Sequence, residues 1–262
     1  MPKKLGMPVD LGQILNLQAE TLVIALAAIL LAGFVKGTTG VGAPVVGVPI
    51  LTALFDIAFA VAIFSILNLL SNIWHTIAFR DKVPNKSFVL RFAFAGALGA
   101  ILGSLLLASL PDAPLMLTMS GVVLFYVGFK LTKPNWKLSR EAGDRLVIPA
   151  GLLGGLLQGA GGLSAPASIT FLSALKLPRP EFIGTISAFF CIMSLFQIPT
   201  LAVLNILKLE HVLYCGLALL PFGLAIWAGE KVSRFVSGRL FDRSILLLLF
   251  AVAVLLISRS IA

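Results

Sequence analysis

The chain has 262 residues, of which 59% are apolar and 12% are charged, and its mean hydropathy is +1.05. Soluble domains carry about 25% charged residues, so this composition excludes a soluble globular protein. The net charge of +9 is spread over short loops, which is unlike the clustered basic footprint of a nucleic-acid-binding protein. We therefore interpret the chain as an all-α polytopic membrane protein, surrounded by a lipid bilayer.

Apolar runs bounded by breakers predict ten helical segments in chain order. They occupy 20–36, 43–55, 57–79, 87–110, 114–132, 146–158, 164–176, 181–205, 211–230 and 244–259. The predicted domains are an N-terminal segment 1–19, repeat 1 at 20–132, a cytoplasmic linker at 133–145 and repeat 2 at 146–259. We expect the N-terminal segment to lie at the membrane interface or to be loose. No apolar run precedes position 21, so we expect no cleavable signal peptide.

One stretch of the chain occurs twice. LLAGFVKGTTGVGAP at 30–44 returns 122 positions later as LLGGLLQGAGGLSAP at 152–166. In each copy, glycines and a proline break an apolar stretch into two short segments, which predicts a half-helix hairpin that enters the bilayer and returns. Paired interruptions at matching places in two halves point to the binding site of a transporter.

Loop charge predicts the topology. Loops 80–87, 133–145, 176–181 and 231–243 are rich in Lys and Arg, whereas the loops near Asp56 and at 111–113 have none. If basic loops face the cytoplasm, the chain threads consistently with five elements per repeat. An odd number of elements makes the two repeats inverted relative to each other. This solution places Lys3 and Lys4 on the outer face.

The two breaks are candidate anion sites. Glycine allows positive φ and close approach of the backbone to a ligand, and we expect Pro44 and Pro166 in the first turn of each returning half-helix. A helix start presents free N–H groups and a positive dipole end, and in inverted repeats two such starts would meet near the midplane. The alternative is that the glycines only permit tight helix packing. The candidate ligand residues in the breaks are Lys36, Gly37, Thr38, Thr39, Gly40, Gly42, Gln158, Gly159, Gly161, Gly162 and Ser164.

Lys36 is the one basic residue deep inside a predicted segment. A charge at membrane depth costs at least about 2.5–3.5 kcal/mol, so it needs a partner or a wet cavity. No Asp or Glu lies at comparable depth in any predicted segment. We therefore expect Lys36 to bind an anion that arrives from solution. The alternative is that its side chain snorkels outward from a shorter hairpin.

A polar stripe follows each break. Four polar residues of the segment 57–79 share one helical face, and three residues 122 positions later repeat the pattern. The stripe residues are Ser65, Asn68, Asn72 and His75 in repeat 1 and Ser187, Ser194 and Gln197 in repeat 2. We expect them to line a shared polar cavity, in which Asn68, Asn72, His75, Ser194 and Gln197 contact the substrate. The alternatives are interhelical hydrogen bonding for the stripe and, for His75, a structural rather than a titrating role.

Motifs of enzymes and cofactor sites are missing from the sequence. It has no cysteine cluster, no H-x-x-x-H pair, no G-x-S-x-G and no P-loop, and no carboxylate pair lies in a predicted segment. Cys191 and Cys215 lie in apolar segments and are interpreted as packing residues. We expect neither an enzyme nor a cofactor.

The chain resembles the TauE/SafE family of sulfite-exporter-like permeases. The resemblance rests on GFVKGTTGVGAPVVGVPIL, NLLSNIWH and GLLQGAGGLSAP, and it extends over the whole chain through AFAGALGAILGS and LLPFGLAIWAGE. It implies a bacterial inner-membrane carrier of sulfur-containing anions, driven by the proton gradient. Many family members have a Gly-Gly-Gly run where this chain has Gly42-Ala43-Pro44, and Lys36 is an addition. The family motif falls on Gly33, Gly37, Gly40, Gly42, Pro44, Gly155, Gly159, Gly162 and Pro166.

Together these features predict a secondary transporter of a small anion, namely sulfite, a sulfonate or another organic anion. Transport would proceed by alternating access around a midplane site, and protons are a candidate coupling ion. The alternatives are an anion channel, a membrane enzyme acting on a lipid-linked anion, and a scaffold subunit.

Overall fold

A computed structural model describes residues 19–133 and 136–233, together with positions 246, 247, 250, 251, 253, 254 and 257. Regular structure in these residues is helical, as predicted. The elements are α1 (Ala19–Thr39), α2 (Ala43–Leu54), α3 (Ile57–Ala78), a 3₁₀ turn (Arg80–Lys82), α4 (Lys86–Ser109), α5 (Asp112–Thr132), α6 (Arg140–Gly161), α7 (Ser168–Ala174), α8 (Arg179–Val203) and α9 (Leu209–Val232). The predicted N-terminal segment and most of the segment 244–259 lie outside the described residues, although the described positions from 246 to 257 are helical.

Six helices of the described region are long and apolar enough to cross a membrane. They are α1, α3, α4, α5, α8 and α9. The polytopic all-α prediction is therefore confirmed. The inverted arrangement of the two repeats and the sidedness of the loops stay predictions.

The prediction that both helices around each break are short is wrong for the first helix of each pair. α1 and α6 have 21 and 22 residues, whereas the returning helices α2 and α7 have only 12 and 7. α6 begins early because Ser139 caps it, with Oγ accepting a hydrogen bond from Ala142 N at 3.2 Å. A cap starts a helix regardless of hydropathy, so the charged first turns of α6 join the apolar run that follows.

Glycines let two pairs of helices pack at backbone distance. A Cβ on Gly155 of α6 would lie 1.9 Å from the carbonyl oxygen of Gly96 in α4. In the same way, a Cβ on Gly37 of α1 would lie 2.1 Å from the carbonyl oxygen of Ile226 in α9. In both pairs, contacts progress in the same direction along both chains, so the paired helices are parallel. Small residues of this kind allow close helix packing in membranes.

The two packed pairs correspond, with one shift of a helical turn. Gly103 of α4 packs against α6 at Leu156, and Gly229 of α9 packs against α1 at Phe34. Leu156 and Phe34 are 122 positions apart, but Gly229 and Gly103 are 126 positions apart. The fourth helix of repeat 2 is thus displaced by four residues, about one turn of α-helix. Glu230 of α9 therefore occupies the position in its helix pair that Ser104 of α4 occupies in the other pair.

α3 and α8 pack against each other in the centre of the described bundle, and each contacts the helices of the other half. Some of their apolar side chains lie in different clusters, since Ile63 and Leu67 of α3 pack with α1, α2 and α9, whereas Ile186 and Met193 of α8 pack with α4, α6 and α7. Val61 of α3 and Leu201 of α8 share a further cluster. The stripe residues of both helices are buried. The fold therefore places the two predicted stripes next to each other.

The glycine packing predicts a position-dependent effect of one added methyl group in α9. Gly229→Ala places Cβ 2.3 Å from the carbonyl oxygen of Phe34, so we expect it to destabilise the protein by about 1–3 kcal/mol. The matched control is Gly223→Ala in the same helix, where a Cβ meets no atom within 4 Å. Thermal unfolding of the purified variants in detergent measures the difference. Equal melting temperatures for the two variants would contradict the close packing of α1 and α9.

Candidate functional site

Lys36 lies in the last turn of α1 and is fully enclosed. Its side chain is 1% exposed, and Nζ donates a hydrogen bond to Oδ1 of Asn72 in α3 at 3.0 Å. The side chain therefore does not snorkel to the surface. A position in the last turn favours a positive charge, because the C-terminal end of a helix carries the negative end of the dipole.

The contact with Asn72 continues across the bundle. Asn72 Nδ2 donates to the backbone oxygen of Asn68 at 2.7 Å and to its Oδ1 at 2.8 Å. Asn68 Nδ2 in turn donates to Oγ of Ser194 in α8 at 3.5 Å. Lys36, Asn72, Asn68 and Ser194, which we call the charged network, thus join α1, α3 and α8. These contacts agree with the alternative interpretation of the stripe, in which its residues form hydrogen bonds between helices.

His75 lies one turn beyond Asn72, beside a carboxylate. Its Nε2 is 3.5 Å from Oε1 of Glu230 in α9, and its buried Nδ1 has no hydrogen-bond partner in the part of the chain that the structure describes. The Glu230 side chain is 51% exposed, so the pair connects the interior to the surface. The backbone of Glu230 also approaches α1, since a Cβ on Gly37 would lie 3.0 Å from Glu230 N. Lys36, His75 and Glu230 therefore converge near the C-terminal ends of three helices.

Sequence reasoning missed Glu230, because its predicted segment ends at that residue and the end of a segment is an ordinary place for a charge. One feature of the sequence could have indicated Glu230. Glu230 follows Gly229, which ends the small-residue pattern that LLPFGLAIWAGE shares with AFAGALGAILGS. Gly229 packs on Phe34, Gly37 and Thr38 beside the first break, so it carries Glu230 to that place.

A second polar cluster surrounds Gln158 and contains no ionisable group among its contacts. Gln197 Nε2 in α8 donates to the backbone oxygen of Gln158 at 3.5 Å, and Gln158 Oε1 accepts from Ser164 N at 3.3 Å. Both glutamines are fully buried, yet Gln158 Nε2 and Gln197 Oε1 have no partner in the described structure. An unsatisfied buried polar group costs about 1–3 kcal/mol, so these two atoms are suited to bind a ligand or water. We call Gln158, Gln197 and Ser164 the neutral cluster.

The stripe on α8 connects the two groups of residues. Ser194 belongs to the charged network and Gln197 to the neutral cluster, and the two are three residues apart on one helical face. Ser65, by contrast, donates to the carbonyl oxygen of Ala62 in its own helix at 2.8 Å. The Ser187 hydroxyl is buried and has no hydrogen-bond partner among the described residues. The polar residues thus form a line through the bundle, from the half-exposed Glu230 at one end to the buried Ser164 at the other.

Both breaks rest on left-handed glycines, and only one begins its returning helix as predicted. φ is +80° at Gly40, +94° at Gly42 and +69° at Gly162. Pro44 lies in the first turn of α2, as predicted, and Gly42 is the residue before that helix. Pro166 instead lies in a turn ahead of α7, which starts only at Ser168, so the predicted helix start at 164 is wrong.

The side chains of two serines explain the turn before α7. Ser164 Oγ donates to Ser168 Oγ at 2.8 Å, and Ser168 Oγ is 3.0 Å from the backbone oxygen of Ser164. Short polar side chains that bond the local backbone compete with regular helix. With seven residues, α7 is also too short for a strong dipole at its start.

Each break packs against a helix of the other half. A Cβ on Gly40 would meet Ile183 of α8, and a Cβ on Gly162 would meet Val48 of α2. The polar line through α3 and α8 runs between the two breaks.

Several other candidate residues of the breaks are engaged in packing or in local hydrogen bonds. Gly37 and Gly159 face the backbones of α9 and α4, and Gly161 faces the Met119 side chain. Thr38 Oγ1 and Thr39 Oγ1 donate to the carbonyl oxygen of Val35 at 2.9 and 2.7 Å. At these positions the contacts match the helix-packing alternative. The side chains that line the interior are those of the charged network, His75 and the neutral cluster.

Comparison with known proteins identifies one similarity. A family model described as sulfite exporter TauE/SafE matches residues 25–256. No curated protein matches the chain, and no solved structure matches it. In the described part of the chain, no group of three or more His, Cys, Asp or Glu side chains is arranged to hold a metal ion.

The hydrogen bond between Lys36 and Asn72 predicts a double-mutant cycle. Asn72→Leu leaves the buried ammonium without its partner, and Lys36→Met leaves the amide oxygen without its donor, so each single variant should unfold at lower temperature. The double variant should recover about 1.5–3 kcal/mol relative to the sum of the single variants, because both partners are then apolar. Pairing Lys36→Met with Ser120→Ala in α5 is the control and should be additive. Additivity for Lys36 and Asn72 as well would contradict the contact.

Proposed function

The chain belongs to the sulfite exporter TauE/SafE family, and we propose that it is a secondary transporter of a small anion. We propose that the anion is sulfite, a sulfonate or another small organic anion, and that it binds at Lys36. The observation that carries this proposal is a buried lysine whose ammonium is held by one neutral amide. A lysine at membrane depth without a contacting carboxylate is a place where an incoming anion is stabilised.

The contacts of Lys36 leave hydrogen-bond donors for such a ligand. An ammonium group has three N–H donors, and the hydrogen bond to Asn72 uses one of them. Asn68 and Ser194 supply further polar groups within the same network. A sulfonate or sulfite oxygen accepts hydrogen bonds from such donors, and a hydrogen bond to a charged group is roughly twice as strong as a neutral one. His75 and the neutral cluster supply the polar groups on either side.

The burial of these residues favours alternating access over a channel. Asn72, Ser194, Gln158 and Gln197 are fully buried, so a ligand reaches the network only if helices move apart. The left-handed glycines at each break are suited as hinges, since glycine tolerates large changes of φ and ψ. In this mechanism one repeat moves against the other and exposes the polar line to each side in turn. A channel would instead give an anion current that grows with the gradient and does not saturate.

We further propose that the repeats are inverted in the bilayer of a bacterial inner membrane. The parallel packing of α1 with α9 and of α4 with α6 supports this arrangement, because it is the reciprocal pairing that a two-fold axis in the membrane plane produces. The charged side chains then lie toward the cytoplasmic ends of α1, α3 and α9. The neutral cluster lies toward the outer ends of α6 and α8.

The topology is tested by labelling single cysteines with a membrane-impermeant maleimide in a cysteine-free background. Lys82→Cys, Lys137→Cys and Leu177→Cys should react only from the cytoplasmic side, and Asn205→Cys should react from the outside. Labelling of position 177 from the outside would exclude five elements in each repeat.

The anion site is tested by binding and counterflow in proteoliposomes. Lys36→Met should weaken the affinity for sulfite or a sulfonate by about 10- to 100-fold, since it removes a charge-assisted hydrogen bond of about 1.5–3 kcal/mol. Lys130→Met, near the end of α5, is the matched control and should bind as the unaltered protein does. Unchanged affinity in Lys36→Met would exclude Lys36 from the site.

A further inference from the structure

One end of the buried polar line carries charged side chains, and the other carries none. Where α1, α3 and α9 converge, the side chains are Lys36, His75 and Glu230. Where α4, α6 and α8 converge, the matching side chains are Gln158, Gln197 and Ser104. The match to Ser104 rests on backbone packing, because a Cβ on Gly159 would lie 2.7 Å from Ser104 N, just as Gly37 faces Glu230 N.

The carboxylate of Glu230 is the negative charge at this end. It lies 3.5 Å from His75 Nε2, and the backbone of Glu230 adjoins the residue that follows Lys36. Other charged or titratable side chains on the described elements that adjoin this pair include Arg80, Asp81 and Lys82 of the 3₁₀ turn, Lys231 of α9 and Cys191 of α8, which lies beside Thr76. Arg80 and Asp81 pair with each other at 3.7 Å, and the Lys231 ammonium lies over the Trp227 ring. Glu230 is therefore the carboxylate that balances the positive charge of the site.

We propose that the pair of Glu230 and His75 takes up one proton when an anion binds at Lys36. Two negative charges that share one site disfavour each other, so an arriving anion favours the state in which the pair has gained a proton. The proton comes from water, because half of the Glu230 side chain is exposed, and it is released when the anion leaves. This proposal rests on the proposed anion transport and assigns to Glu230 the link between the anion and the proton.

The mechanism makes Glu230 an internal competitor of the substrate. While it is ionised, Glu230 partly neutralises the charge that would attract the anion, and protonation of the pair removes that competition. The neutral cluster has no such group, so binding of a proton is confined to one end of the line. A transporter built in this way moves the anion together with a proton rather than alone.

The test measures the affinity of the full-length protein for ethanesulfonate as a function of pH, by calorimetry in detergent. Ethanesulfonate is the probe because it stays anionic throughout, whereas sulfite itself gains a proton near neutral pH. For one linked proton, affinity should fall by up to about tenfold for each pH unit above the titration of the pair. Glu230→Gln should abolish this dependence and should bind more tightly than the unaltered protein at high pH.

Two further variants keep the test decisive. Glu210→Gln, the same substitution at the opposite end of α9, should retain the pH dependence. Glu230→Ser, which introduces the residue found at the matching position of α4, replaces Glu230→Gln if that variant does not fold. The same pH dependence in a folded Glu230 variant and in the unaltered protein would overturn the role of Glu230 and leave anion transport intact. Absence of sulfonate and sulfite binding by the unaltered protein would instead overturn the proposed function.

Discussion

The hydrogen bond between the ammonium of Lys36 and the amide of Asn72 is the interaction on which the interior depends. It places a charge inside an apolar bundle, and a charge in that position is tolerated only with a partner. Asn72 must be held in place by Asn68, and Asn68 by the approach of α3 to α8. The packing of the two central helices and the state of one lysine are therefore coupled. A ligand that changes the surroundings of Lys36 acts directly on the contact between the two halves.

The close helix pairs α1–α9 and α4–α6 provide the frame for this interior. Their backbones touch through glycines, and α3 and α8, which pack against each other, pack on α9 and α4 respectively. The frame also determines the electrostatics, because the displacement of α9 by one turn places Glu230 next to His75. Two halves of related sequence thus enclose one charged and one neutral group of residues. The polar line therefore has one charged end and one neutral end.

Sequence patterns succeed where the cause is local. Long apolar runs require a helical solution in a bilayer, and a polar stripe with helical spacing requires a common face, so α3 and α8 were predicted with their buried polar residues. The start of α6 was missed because the cap at Ser139 outweighed the hydropathy of the charged residues after it. The start of α7 was missed because serine side chains bind the local backbone ahead of it. Most predicted ligands in the breaks, such as Gly37 and Thr38, are engaged in packing or in helix hydrogen bonds.

By itself, the sequence determined the membrane class, the order of the spans, the positions of both breaks and the membership in a transporter family. Hydrophobicity and helical period act over a few turns of one chain segment, so they can be recognised from the sequence without a structure. Only the tertiary structure decided that Glu230 meets His75, that Lys36 bonds to Asn72 and that a polar line through α3 and α8 runs between the breaks. These contacts depend on which glycine of one helix meets which carbonyl of another. A displacement by one turn leaves the local pattern unchanged and replaces the partner of every side chain along the helix.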